Sequence, residues 1–174
     1  AIIIYLYQNG FQGTAFFTAQ EEAGKSWRYV YEWFSKNKLT TNELLVLDTS
    51  PYDTRVEADV QQVVLRNRDV NARFKSPILK QLKNFCHKNN IPFSCKDTFI
   101  QDKNKIRKEK GLSLLTLGST ELGRIVMESK GTIQGTTLQI PTTGYHTVEE
   151  TASIKAVKAI LHILSSFYID NKKA

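Results

Sequence analysis

Short apolar runs alternate along the chain with segments whose apolar residues recur at helical spacing. Residues 2–7 are apolar throughout, and the β-branched and aromatic run of residues 14–18 predicts a buried strand. The spacing of apolar residues within 24–35 predicts a helix, and residues 44–47 predict a second strand that ends on Asp48. The first part of the chain therefore predicts strands separated by a helix.

The middle of the chain continues this alternation. Residues 60–65 predict a third strand, and Ser76-Pro77 predicts the start of a helix, because a hydroxyl cap followed by Pro suits a first helical turn. Residues 91–100 contain Pro92 and predict an edge or irregular strand. Residues 101–110 predict a polar, basic connection.

The remaining segments complete an alternating pattern. Residues 112–117 predict a buried strand, residues 122–127 a helix and residues 136–140 another strand. A long amphipathic helix is predicted from Ile154 onward. Strands that alternate with helices predict an α/β fold, a three-layer sandwich with a mostly parallel mixed sheet and helices on both faces.

Composition limits the class of protein. The chain has 174 residues, of which 41% are apolar and 24% charged, which predicts one domain over residues 1–170 and a polar tail at 171–174. No apolar window approaches the roughly 20 residues that span a membrane. Cys86 and Cys95 are too few for a disulfide framework, so we expect reduced thiols and a cytoplasmic location.

Acidic residues and one histidine follow the predicted strands. Glu21 and Glu22 follow residues 14–18, Asp48 ends the next strand, and Glu121 and His146 lie beyond two later strands. Taken singly, such residues are typical of helix starts and turns. Together they converge on the sheet edge where α/β proteins bind ligands, and carboxylates with imidazole suit zinc, cobalt or manganese.

The other two histidines lack this setting. His87 and His162 lie inside predicted helices, and we expect structural roles for both.

Several motifs give the chain a family resemblance. The stretches FTAQEEAGKS, LLVLDTS, LGSTELGRIV and IPTTGYHTVEETASIKAVKAILHIL resemble the co-catalytic zinc aminopeptidases, closest to the glutamyl-aminopeptidase and tetrahedral-aminopeptidase group. The resemblance implies a zinc-peptidase-like fold, a peptide substrate, two divalent metal ions and a homo-oligomer. It also implies Glu21 as general base, Glu22 and Asp48 as metal ligands, and His146 as a ligand of the second metal.

The departures from the family pattern concern selectivity and completeness. Glu121 stands in Gly-Ser-Thr-Glu where the family has Gly-Thr-Asp-Ala, and Tyr145 precedes His146 in a loop that differs from the family's. We assign Glu121 and Tyr145 to substrate binding. The family's early His-x-Asp ligand and bridging Asp have no counterpart here, so the resemblance implies the carboxyl-terminal part of a catalytic domain, without those ligands or a lid domain, that is inactive by itself.

Two other functions fit parts of the sequence. The first is an inactive binding or assembly module with the same fold. The second is nucleic-acid binding through a basic cluster that holds five of the chain's 24 Lys and Arg residues, in a chain of net charge +7. The cluster contains no interleaved aromatic residues for base stacking, which disfavours that function. Its members are Lys103, Lys105, Arg107, Lys108 and Lys110.

Overall fold

The computed structural model describes residues 2–169, so the predicted tail at 171–174 lies outside the described residues. Within residues 2–169, no helix is both long and apolar enough to cross a membrane. The elements, in chain order, are α1 (Ile2–Gln8), α2 (Trp27–Lys36), β1 (Thr41–Pro51), α3 (Arg55–Asp59), β2 (Val63–Leu65), α4 (Pro77–Lys88), β3 (Phe93–Cys95), α5 (Lys96–Glu109), α6 (Glu121–Glu128), β4 (Ile133–Thr143), β5 (Thr151–Ala152) and α7 (Ile154–Tyr168).

One mixed sheet organises the chain. Its strand order is β1-β4-β2-β3, and β5 pairs with the end of β4. β1 runs parallel to β4 and β2 runs parallel to β3, whereas β2 and β5 are antiparallel to β4. The predicted α/β architecture with a mixed sheet is confirmed.

Helices cover both faces of the sheet. The larger core lies on one face, where Leu6 of α1, Leu82 of α4 and Ile163 of α7 pack with the strand residue Leu138. The other face packs against α2 and α6, which bury Val30 and Ile125. Burial on both faces explains why the strands of this chain read as apolar runs rather than as alternating patterns.

Three hydroxyl side chains fix the starts of the later helices. The hydroxyl oxygen of Ser76 accepts a hydrogen bond from the Ile78 N–H at 3.2 Å, which begins α4 where the sequence predicts it. Thr120 accepts from Gly123 N–H at 3.0 Å before α6, and Ser153 accepts from Lys155 N–H at 3.3 Å before α7. Such caps satisfy amides that have no partner within the helix.

The predicted strand at residues 14–18 is wrong, because the segment forms no backbone ladder. Phe16 packs beside Val30 and Phe34 on one face of the sheet, whereas Phe17 is 71% exposed. An apolar run becomes a strand only when a neighbouring strand accepts its hydrogen bonds, and among the described residues none lies next to this segment.

The predicted buried strand at residues 112–117 is also wrong. The segment is irregular, and Leu114 is 59% exposed. Side chains of the preceding helix take its backbone bonds: the Asn104 amide donates to Leu115 C=O at 2.9 Å and its oxygen accepts from Leu115 N–H at 2.8 Å. Arg107 similarly donates to Ser113 C=O.

Three further boundaries are corrected. The edge or irregular strand predicted at residues 91–100 is reduced to β3, because residues 96–100 already belong to α5. Residues 101–110 are not a connection, since most of them belong to α5, which starts at Lys96. The strand predicted at residues 60–65 is shortened to β2, and the short helix α3 precedes it. Thr54 caps α3 by accepting from Glu57 N–H at 3.2 Å.

Candidate functional site

The turn after β4 brings a histidine onto the acidic pair. His146 has a positive φ of 60°, and its Nε2 lies 3.1 Å from Oε2 of Glu22. The Tyr145 ring stacks on the imidazole, with 3.8 Å between ring centroids. Both side chains are solvent-exposed, so the imidazole nitrogen and the carboxylate oxygen are accessible to a ligand.

Asp48 is oriented by two hydrogen bonds from the sheet. Its Oδ1 accepts from the Thr49 N–H at 2.7 Å, and its Oδ2 accepts from the Gln139 side-chain amide at 3.0 Å. Asp48 and Gln139 occupy paired positions on β1 and β4. Register in the sheet therefore fixes the direction of this carboxylate.

A buried arginine extends this contact into the core. Arg66 is 7% exposed and donates from Nε to the Gln139 amide oxygen at 2.9 Å and from a terminal nitrogen to Leu117 C=O at 2.7 Å. Burial lowers the pKa of Arg66, while the charge of Asp48 opposes that shift. Gln139 thus connects a buried cation to the candidate ligand Asp48.

Sequence reasoning missed Arg66 and Gln139. The available signals were an arginine directly after residues 63–65 and a glutamine among the strand residues 136–140. A polar side chain within a buried strand requires hydrogen-bond partners, which indicates a network but does not name its members.

Glu21 and Glu121 line one cavity of about 430 Å³ beside β1. Partial burial raises the pKa of Glu21, the negative charges of Asp48, Glu22 and Glu121 raise it further, and His146 opposes the shift. A raised pKa makes a carboxylate a better proton acceptor, which can take a proton and later return it.

The two residues assigned to substrate binding border the same site. Glu121 is the first residue of α6, and its Oε1 accepts from the Thr18 hydroxyl at 3.3 Å. Burial raises the pKa of Tyr145, and the charges of Asp48, Glu22 and Glu21 add to this increase. Tyr145 therefore lies within the electric field of the acidic cluster, with its phenol neutral.

The donor set is incomplete as a metal site. Within residues 2–169, no three His, Cys, Asp or Glu side chains lie close enough together to hold one ion. Glu22 and His146 fit two ligands of a zinc-type site in chemistry and separation, but Asp48 does not join them. The structure thus unites one pair of the predicted ligands and leaves the third apart.

The basic cluster on α5 is partly engaged within the chain. Lys103 makes ion pairs with Asp53 at 2.8 Å and Glu57 at 2.7 Å, and Lys105 pairs with Asp102 at 2.7 Å. These ion pairs neutralise two of the positive charges that a nucleic-acid-binding surface would offer to phosphate groups.

The two remaining histidines contact aromatic rings away from the acidic site. The His87 ring lies 5.0 Å from that of Phe93, and the His162 ring lies 5.3 Å from that of Phe85.

Comparison with known proteins identifies the fold of the chain but not its function. No family model and no curated protein matches the sequence. Among solved structures, the chain is similar to a TET aminopeptidase from a marine-sediment Thaumarchaeota archaeon, with TM-score 0.65, 18% identity, and coverage of 96% of this chain and 43% of that one.

Two further archaeal structures agree. An aminopeptidase from Desulfurococcus kamchatkensis matches with TM-score 0.60 and 15% identity, and the Pyrococcus horikoshii TET1 peptidase, which assembles into a tetrahedron or a large octahedral shell, with TM-score 0.55 and 15% identity. Each match covers 87% of this chain and 39% of the other. The chain therefore spans less than half the length of these solved chains and shares the fold of that part of them.

Proposed function

We propose that this chain is the carboxyl-terminal portion of an aminopeptidase-type hydrolase that acts on peptides. The observation that carries the proposal is the convergence of Glu21, the Glu22–His146 pair and Asp48 on one edge of a sheet that shares its fold with TET aminopeptidases. In α/β folds this edge is where catalytic groups collect.

Glu21 is the proposed proton acceptor. Its raised pKa suits a group that takes a proton from an attacking water and passes it to the leaving amine. Glu121, which is not among the proposed metal ligands, lines the same cavity as Glu21 and can attract a cation such as the free α-amino group of a peptide. This carboxylate favours removal of amino-terminal residues over cleavage within a chain.

The proposal assigns the metal ligands in part. Glu22 and His146 provide two ligands of one divalent ion, zinc, cobalt or manganese, and Asp48 provides a ligand of a second. Because no three donors meet within residues 2–169, the remaining ligands come from elsewhere in the whole protein. We expect the chain alone to bind metal weakly and to be nearly inactive.

The test is hydrolysis of amino-acid anilides and short peptides by the natural polypeptide that carries this sequence, supplied with each metal in turn. Glu21→Gln should lower the rate by about 100- to 10,000-fold, because the general base is lost. Glu32→Gln, which changes an exposed carboxylate on α2, is the matched control and should leave the rate unchanged. Full activity of Glu21→Gln would refute the assignment.

An inactive binding or assembly module is the second candidate. The incomplete donor set favours it, and one similar protein assembles into closed shells. Calorimetric titration of the natural polypeptide with zinc separates the candidates. If zinc does not bind tightly and the protein still forms a homo-oligomer without metal, the module is supported and the hydrolase is refuted.

A further inference from the structure

The segment from the end of β2 to the end of α4 carries most of the chain's surplus positive charge. Residues 66–88 hold seven of the chain's 24 Lys and Arg residues and only one of its 17 Asp and Glu residues. That one acid, Asp69, is buried, and its carboxylate accepts hydrogen bonds from the N–H groups of Ala72 at 2.9 Å and Thr120 at 2.8 Å. The exposed cations of this segment therefore lack an acidic partner within it.

Two of these cations oppose each other across a short hairpin. Arg68 and Arg73 form an antiparallel bridge. The flanking backbone hydrogen bonds join residue 69 to residue 72 at 3.0 Å and residue 74 to residue 67 at 2.9 Å, so the two arginines occupy the position between hydrogen-bonded pairs. Side chains at such a position leave the same face of the hairpin and lie closest together, with their Cβ atoms about 4.5–5.5 Å apart.

The packed residues on either side fix the backbone of this arginine pair. Phe74 is 6% exposed and packs against α6, and the Asn67 N–H donates to the Asp97 carboxylate at 2.9 Å. Arg68 is half-buried and Arg73 is exposed. Among the described residues, neither arginine side chain has a hydrogen-bond, ion-pair or ring partner. The pair is therefore held in place with its donors available.

The chemistry of the pair favours an anion with two charges. Like charges directly opposite each other destabilise a hairpin, and an anion bound between them removes that repulsion. A guanidinium group donates two parallel hydrogen bonds to a carboxylate or a phosphate. A carboxylate carries one charge and occupies one such fork, whereas a phosphate monoester carries a charge of nearly −2 on three acceptor oxygens. Charge and donor number in the pair therefore match a phosphate group.

We propose that Arg68 and Arg73 clamp a phosphate monoester group, supplied by a small phosphorylated molecule or by a lipid headgroup. Each guanidinium donates to the phosphate oxygens, and the dianion neutralises both charges. Neither arginine belongs to the acidic site of Glu21, Glu22 and Asp48, so the inference stands or falls independently of the proposed hydrolase.

The first test is calorimetric titration of the natural polypeptide that carries this sequence with inorganic phosphate at about pH 8, where the probe is mostly a dianion. Sodium chloride keeps the ionic strength constant. Arg68→Gln and Arg73→Gln should each raise the dissociation constant at least about tenfold, since each removes a pair of charge-assisted hydrogen bonds. Arg73→Lys keeps the charge but loses the fork, and should also weaken binding.

The matched control is Arg28→Gln, which removes an exposed arginine on α2 and should leave the dissociation constant unchanged. An equal loss of affinity in Arg28→Gln, undiminished binding by Arg73→Gln, or no saturable binding at all would mean an adventitious ion only and would overturn the proposal.

A stability measurement separates a binding role from a structural one. In phosphate-free buffer, Arg73→Gln should raise the midpoint of urea denaturation, because the repulsion between the arginines is relieved. At saturating phosphate the order should reverse, since binding stabilises only the protein that retains both arginines. A lower midpoint for Arg73→Gln in both buffers would mean that Arg73 stabilises the hairpin, and would overturn the proposal.

Vesicles distinguish the two sources of the phosphate group. If a lipid headgroup is the ligand, phosphatidylcholine vesicles that contain phosphatidic acid should sediment the protein but not Arg73→Gln. Phosphate binding without sedimentation by these vesicles assigns the site to a small phosphorylated molecule.

Discussion

The two sides of β4 differ in how completely the protein covers them. On one side β2 is fully enclosed, with Val63, Val64 and Leu65 at 0% exposure. On the other side β1 is half-buried and borders an open cavity that carries Glu21 and Glu121. The closed side provides most of the packing that stabilises the fold, and the open side holds the groups with candidate chemistry.

The largest expected effect compares identical truncations on the two sides. Leu65 on β2 and Leu47 on β1 both pair in register with Leu138 of β4, one from each side, and both pack in the larger core. Leu65→Ala should lower the free energy of unfolding by about 2–5 kcal/mol, because it leaves a cavity at a site that is 0% exposed. Leu47→Ala should cost about half as much, since less apolar surface is buried there.

Urea denaturation of both variants measures the difference. Equal losses would show that the β1 side packs as tightly as the closed side, contrary to the open cavity beside β1.

The next effect concerns a buried charge on the closed side. Burial, together with the positive charges of Arg66 and Lys103, lowers the pKa of Lys96 to about 8, while the charges of Asp53 and Glu57 oppose the shift. Its ammonium lies 3.9 Å from the centre of the Tyr52 ring. The side chain is 6% exposed, so solvent does little to screen this shift.

The contribution of Lys96 to stability should therefore rise with pH between about 8 and 10.5. In this window the native state releases the Lys96 proton while the unfolded state, with the ordinary pKa of 10.5, still holds it. The pKa difference corresponds to about 3 kcal/mol. Below pH 8 both states are charged, and the cost of burying the charge is fully present. Above about pH 9 the buried Cys86 thiol, whose pKa is raised to about 11, contributes in the opposite direction, so the rise should be clearest between pH 8 and 9.

Chemical denaturation across this pH range tests the effect. Lys96→Met should remove the rise, whereas Lys105→Met, at an exposed site on the same helix, should retain it. A rise that persists in Lys96→Met would assign the titration to another group.

A smaller effect is expected where the two sides meet. Gln139→Leu removes the side-chain partner that Arg66 and Asp48 share, and should cost about 1–3 kcal/mol because the buried guanidinium loses an acceptor. Gln101→Leu, at an exposed position on α5, should change stability by less than about 0.5 kcal/mol. Thermal unfolding measures both variants. Equal stability of Gln139→Leu and Gln101→Leu would show that the hydrogen bonds of Gln139 to Arg66 and Asp48 do not stabilise the fold.

The smallest effect is expected on the open side. Glu22 and His146 are exposed, so a double-mutant cycle with alanine should give a coupling energy of about 0–1 kcal/mol in the absence of metal. A coupling above about 2 kcal/mol would mean that the pair is shielded from water, and would contradict the open character of this side.

The candidate site was predictable as far as strand order allows. Asp48 lies in the carboxyl-terminal half of β1, where the carboxyl-end rule expects ligand-binding residues. Glu21 and Glu22 follow residues 14–18, which form no strand, so that rule does not explain their position. The partners of Asp48 were not predictable, because Gln139 reaches it through the β1–β4 register and Arg66 through the antiparallel pairing of β2. Register depends on contacts between segments far apart in the sequence.

By itself, the sequence determined the local starts and periodicities. Ser76-Pro77 begins α4, the apolar stripe after Ser153 becomes α7, and the runs at residues 44–47 and 136–140 become strands, because caps and periodicity act over a few residues. Only the tertiary structure decided which apolar runs pair. Residues 14–18 and 112–117 have strand-like sequences, but a strand exists only where another backbone accepts its hydrogen bonds, and no local pattern encodes that partner.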